Sequence, residues 1–324
     1  MSNRFLTPLL ALVIIASVPG QGTISAIPRT PDGRPDLQGI WTNATLTPME
    51  RPAAFAGKMT VSDDEAAVYE KQQTDELKAG DGKSDSDFHR RAGSGETGGY
   101  NALFIDRGSE LARVDGVKRT SLIIDPPDGR IPPVTAEARA RLASMRRGGT
   151  DSVKDRPLSE RCLMSFGSSS GPPMLPVLYN NNYQIVQTPG AVMILVEMIH
   201  DARIVRMNAT HAPASIRKWL GDSVGHWEGD TLVVDTTNFN ENINFRGSSR
   251  NLRVIERFTR VDANTLLYKT TIDDPTTFSK SWTIEYPFRA TSDSIYEYAC
   301  HEGNYSIVDI LGGARKLERE AQAK

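Results

Sequence analysis

The stretch GHWEGDTLVVDTTNF (Gly225–Phe239) decides the fold class. A short approach ending at Trp227 meets Glu228-Gly229-Asp230, and a β-branched run begins at Thr231. Glycine supplies the positive φ of a tight turn and aspartate bonds its own backbone readily, so the segment predicts a β-hairpin. From Tyr183 the apolar period is close to two. Candidate strands are Tyr183–Gln187, Ala191–Ile199, Arg203–Met207, Thr231–Phe239, Leu252–Arg260, Thr265–Asp273, Ser281–Phe288 and Ile295–His301. Eight short strands with close turns predict a mainly β protein, an antiparallel meander, and closure into a barrel removes exposed edges.

Alternation also assigns the faces. Val254, Glu256 and Phe258 share one face of their strand, opposite Arg253 and Arg257. Tyr268 opposes Lys269 in the next strand, and Trp282, Ile284 and Tyr286 oppose Glu285 in the one after. The expected inner wall is aromatic and carries one carboxylate, Glu256. Trp227, Phe258, Tyr268, Trp282 and Ile284 are expected inside; Arg253, Arg257, Lys269 and Glu285 are expected outside.

Working outward, residues 161–324 form the expected barrel domain and residues 27–160 an extended N-terminal arm. Pro28, Pro31, Pro35, Pro48 and Pro52 forbid long helices at the start of the arm. Leu37–Trp41 predicts a short strand anchored by Trp41, and Ser121–Asp125 another. Ser62-Asp-Asp-Glu65 has capping-box spacing and predicts a helix to about Leu77. Thr135 predicts the N-cap of a second helix running to about Arg147. Residues 79–99 are rich in Gly, Ser and charge and predict a mobile loop. Ser165–Pro173 reads as a linker or as a loop over the mouth of something.

At the N-terminus, Arg4 precedes the almost wholly apolar run Phe5–Val18, which Pro19-Gly20 stops. That is the layout of a secretory signal peptide, taken as residues 1–26. The run is shorter than the ~20 residues a spanning helix needs, so no membrane anchor is expected. Localisation is expected to be periplasmic or secreted. In an oxidising compartment the two cysteines, Cys162 and Cys300, are most simply one disulfide, the alternative being two buried thiols. The net charge of −2 over 324 residues gives no reason to expect a nucleic acid or an anionic membrane as partner.

GHWEGDTLVV followed by VIERFTRVDANTLLY resembles the hairpin rhythm of lipocalin-like and fatty-acid-binding barrels. That resemblance implies a lipocalin-like barrel of about eight strands holding a small hydrophobic ligand, with the arm and two peripheral helices outside. PDGRPDLQGIW, SLIIDPPDGRIP, YNNNYQIVQTPG, EMIHDARI, WLGDSVGHWEGDTLVVDTTNF and YACHEGNY together resemble a large family of exported bacterial proteins with no generally assigned activity. This second resemblance implies export and carries no chemistry across.

Candidate site residues follow from the faces. Glu256 against an apolar wall must be paired or protonated: either an acid–base group with a raised pKa, or half of an ion pair with Arg203 or Arg206. His200, where a strand meets a turn, is a second acid–base candidate. The alternative is a turn histidine bonded to Asp201, with Arg203 pairing Glu197. Tyr183, Arg203, Tyr268 and Trp282 are the expected substrate-binding residues, and His200 or Arg203 is expected near the pocket mouth. His301, Glu302 and Asn304 form a second candidate site. No zinc-type histidine spacing, P-loop or dinucleotide fingerprint is present, so neither metal nor cofactor is expected. The leading expectation is a cofactor-free lyase or isomerase acting on a small apolar or aromatic molecule. Its alternative is a non-catalytic periplasmic binding protein for such a ligand.

Overall fold

The computed structural model describes residues 27–81, 105–145, 152–165 and 171–323. The expected signal peptide, most of the 79–99 loop and the centre of Ser165–Pro173 lie outside the described residues.

The hairpin forms as its residues dictate. Strand β9 (Asp222–Glu228) pairs antiparallel with β10 (Thr231–Thr237), Glu228 opposite Thr231, around Gly229 at φ 59°. Around it a closed barrel of nine strands assembles. The staves in spatial order are β1 (Gly39–Thr42), β6 (Asn182–Gln187), β7 (Ala191–Val196), β8 (Ala202–Met207), β9, β10, β11 (Arg253–Arg260), β12 (Thr265–Asp273) and β13 (Trp282–Ala290). Trp41 and Thr42 of β1 pair with Ala290 and Arg289 of β13 and close the ring. Strand β5 (Ile123–Asp125) adds to β13 beyond that closure. A small sheet of β2 (Thr60–Val61), β3 (Arg113–Val114) and β4 (Val117–Arg119) stands beside it.

Three expectations change. The barrel has nine staves instead of eight, because the arm itself supplies β1 and the approach to Trp227 becomes β9. It is not a pure meander: β8 and β9 run parallel, joined by the crossover 208–221, since parallel neighbours cannot be linked by a tight turn. Ile295–His301 is not a strand. Closure leaves β13 no free edge there, and the Tyr296 amide instead donates to the Glu197 carboxylate (3.1 Å). Residues 291–299 thus form an irregular strap.

Both expected helices start where their caps lie. At α1 (Asp63–Asp81) the Glu65 amide donates to Ser62 Oγ (3.2 Å) and the Ser62 amide to Glu65 Oε2 (3.1 Å), a complete capping box. The helix runs four residues past Leu77. At α2 (Ala136–Met145) the Ala138 amide donates to Thr135 Oγ1 (3.1 Å). A third helix, α3 (Tyr305–Gln322), is not among the predicted elements, because Gly312-Gly313 interrupts its run of helix formers. None of its residues is buried.

The alternation holds inside the barrel: Phe258, Tyr268, Trp282 and Ile284 are fully buried. Trp227, at the lower end, is half-buried, with Arg34 over its ring at 5.7 Å. Outside, Arg253 is exposed, and Arg257 and Lys269 are partly so. Glu285 departs from the expectation, with only 12% of its side chain exposed, because β4 brings Arg119 across it at 3.2 Å. At the lower end inward-facing Arg260 donates to the carbonyls of Asp36, Asp262 and Ala263 and stacks over Trp41 at 5.2 Å.

Cys162 and Cys300 form the expected disulfide, with Cα atoms 5.8 Å apart. It ties the segment before β6 to the strap after β13. Loop entropy over 138 residues gives about 4–5 kcal/mol. The double Cys→Ser variant should lose most of that in urea unfolding; a loss under about 1 kcal/mol would mean that other contacts already hold these segments.

The crossover is fastened by Asp222, whose buried carboxylate accepts from Arg206 (2.8 Å), the Ala212 amide (2.9 Å) and Lys218 (3.3 Å), with His211 Nδ1 at 3.2 Å. Burial alone raises a carboxyl pKa, but the amide and these cations outweigh it and hold Asp222 below its ordinary value. A depressed folded-state pKa contributes stability above the unfolded value that is lost as pH falls through the folded one. Stability should therefore decline as pH drops below about 4, and Asp222→Asn should flatten that limb in urea titrations at pH 3 and 6. An unchanged slope would contradict the assignment.

Candidate functional site

Glu256 of β11 and Arg203 of β8 project into the barrel from opposite sides of the β9–β10 hairpin and form a two-pronged ion pair. Both Arg203 terminal nitrogens donate, NH1 to Glu256 Oε2 and NH2 to Oε1 at 3.0 Å. The Tyr268 hydroxyl donates to Oε1 as well (2.9 Å). Burying two charges costs several kcal/mol each unless their hydrogen-bonding capacity is met, which this arrangement does. Burial alone lowers an arginine pKa, yet the Glu256 carboxylate outweighs it and raises that of Arg203. Burial pushes the Tyr268, Tyr286 and Tyr183 hydroxyls up, and the Glu256 charge adds to it, so all three stay protonated.

The rest of this polar layer grips a piece of backbone. Residues Gly171–Leu175 are all buried and enter the barrel from above. The Met174 amide donates to the Tyr268 hydroxyl (3.0 Å), and the Tyr286 hydroxyl donates to the Met174 carbonyl (2.6 Å). Asn43 Nδ2 donates to the hydroxyls of Tyr286 (3.1 Å) and Tyr183 (3.3 Å). Gly171, at φ 69°, gives the plug its tight entry: a Cβ there would meet Met174 Cγ at 2.9 Å.

The expected aromatic pocket around Glu256, Tyr268 and Trp282 is therefore filled, with Met174 and Leu175 in the space a ligand was to take. Glu256, Arg203, Tyr268 and Tyr183 do come together, in a buried polar layer in which both Glu256 oxygens accept hydrogen bonds. Trp282 sits one layer above, between Phe245 (centroids 6.1 Å) and Phe278 (5.7 Å). His200 is apart from them, exposed on the turn after β7 at φ 49°. Arg203 does not pair with Glu197, whose buried carboxylate accepts the Tyr296 and Asn182 amides. In the second candidate site His301 and Glu302 are exposed. Asn304 instead braces the disulfide, donating to the Glu160 carbonyl (2.6 Å) and lying 3.5 Å from Cys162 Sγ. Among the described residues no group of three or more His, Cys, Asp or Glu side chains could hold a metal ion.

Immediately above the plug lies a cleft of about 830 Å³. One wall is the arm at Thr45–Met49; the other is the chain leaving the plug, Leu175–Tyr179; Met198 and Phe245 complete the floor. The lining is mainly apolar, with two guanidinium groups, Arg107 and Arg246. A second basin of about 610 Å³ has a mixed lining of charged, polar and apolar side chains, and Arg156 on its wall is already paired with Glu160 at 2.5 Å. The apolar cleft is the better ligand site, because apolar walls with a few placed polar groups are what small-molecule sites present. Met49, Arg107, Val177 and Arg246 are its residues that no sequence pattern marks, since all lie in irregular segments. Comparison of the chain with family models, curated proteins and solved structures found no match.

The network makes a stability prediction. Glu256→Gln strands the Arg203 charge and should cost about 3–5 kcal/mol in urea unfolding, whereas Arg203→Met with Glu256→Leu should recover much of that. A Glu256→Gln variant as stable as the parent would contradict a structural pair.

Proposed function

We propose that this chain is an exported binding protein that holds a small apolar or aromatic molecule, without turning it over, in the cleft above the barrel plug. The observation that carries this reading is the preformed apolar cleft, whose volume is within the usual range for small-molecule sites. Its walls are fixed before any ligand arrives, one of them by the Met174 backbone bonded to Tyr268 and Tyr286. Binding is preferred over lyase or isomerase chemistry because both Glu256 oxygens already accept hydrogen bonds and the side chain has no exposed surface. Export is supported by the disulfide, a bond that persists in oxidising compartments. No helix among the described residues is long and apolar enough to cross a membrane.

The test is titration with the neutral apolar dye N-phenyl-1-naphthylamine, read by fluorescence. The parent should bind it saturably. Val177→Trp fills the cleft, and Leu178→Asp charges a lining residue that is 43% exposed and outside the core. Each should weaken binding about tenfold, the equivalent of one apolar side chain's burial. No saturable binding, or equal binding by both variants, would refute the cleft as the site.

A further inference from the structure

The cleft carries two guanidinium groups, that of part-buried Arg107 and that of Arg246, exposed on the rim, whereas several arginines shielded elsewhere are bonded. Arg203 is paired with Glu256, Arg260 with three carbonyls, Arg51 with Thr120 and Pro127, and Arg119 with Glu285. Among the described residues neither Arg107 nor Arg246 has a carboxylate at ion-pair distance. Arg107 Nε is buried with no hydrogen-bond partner. The carboxylate whose charge reaches Arg246 belongs to Glu50, and it is engaged by the Ile131 amide at 2.8 Å. Burial lowers the Arg246 pKa from its ordinary value, and Glu50 only partly offsets that.

Arg246 is also held where an arginine does not go by preference. Its φ is 51°, in the left-handed region, and Gly247 follows at φ 97° with Leu142 so close that a Cβ would stand 3.1 Å from it. Asn244 locks the turn by accepting the Gly247 amide at 2.9 Å. This turn sets Arg246 on the rim of the apolar cleft.

Arg107 Nε is left without a partner in the cleft wall, and a carboxylate bonds guanidinium groups with short, charge-assisted bonds. We propose that the ligand of this cleft is an amphipathic carboxylate, its apolar part on Met49, Val177, Met198 and Phe245 and its carboxylate paired with Arg107 and Arg246. This inference rests on the binding reading above and adds the chemical class. The apolar part could be a chain or a ring, so both are tested.

Decanoate is compared with decanol, and 2-naphthoate with 2-naphthamide, as displacers of N-phenyl-1-naphthylamine from the full chain at pH 7. Within whichever pair fits, the acid should displace the dye at about tenfold lower concentration than its neutral partner. Arg107→Gln with Arg246→Gln should erase that preference while still binding the dye, and Arg246→Gln alone should reduce it. Acid and neutral partner displacing equally, with the dye still bound by the parent, would overturn the carboxylate class and leave the cleft reading standing. A preference that survives the double substitution overturns the assignment to these arginines. A parent that does not bind the dye removes the cleft reading and this inference together.

Discussion

The polar layer that grips the plug is built on one buried ion pair, Arg203 with Glu256. The two residues belong to strands separated by the β9–β10 hairpin, so their pairing spans the barrel instead of following its ladder. A charge pair in such a place is tolerable only when fully bonded. Tyr268 supplies the third bond to Glu256, and its oxygen then accepts the Met174 amide. The carbonyl of the same residue is bonded by Tyr286. A polar layer that began as a solution to two buried charges thereby fixes the backbone of the plug. The walls of the mouth cleft inherit their position from it.

Strand number explains why a plug is needed. Eight strands enclose an interior that side chains alone just fill, and a nine-stranded barrel is wider. Here the surplus is taken by Met174 and Leu175 above the tyrosine layer, and by Arg260 over Trp41 at the lower end. The barrel interior becomes a scaffold, and the concave surface available to a ligand moves outward to where arm and plug face each other. The disulfide fastens the region just before the plug to the strap.

Alternation made the barrel wall legible in the sequence. Phe258, Tyr268, Trp282 and Ile284 face inward because a one-residue slip would turn each strand's apolar set to solvent. The capping box at Ser62 and the N-cap at Thr135 were legible for a similar reason, as a fixed spacing serves a fixed geometry. What period two could not reveal was partnership. Leu37–Trp41 reads as a strand but not as the stave that closes the ring, and nothing in β8 or β9 says that they run parallel. For Glu256 the sequence left open a titrating acid or an ion pair, and the third dimension decides it. The cleft was invisible because Met49, Arg107, Val177 and Arg246 lie in irregular segments far apart in the chain. Ser165–Pro173 reads only as a linker or as a loop over a mouth, and its last residues, Gly171–Pro173, are the beginning of the plug.

With the barrel filled, the proposed place for a ligand is the cleft above the plug. Crystals grown with a brominated aromatic carboxylate, read by bromine anomalous scattering, test it directly. The expected peak lies between Met49 and Val177, with Met174 still bonded to Tyr268 and Tyr286. A peak inside the barrel between Tyr268 and Trp282, with the plug displaced, would contradict it.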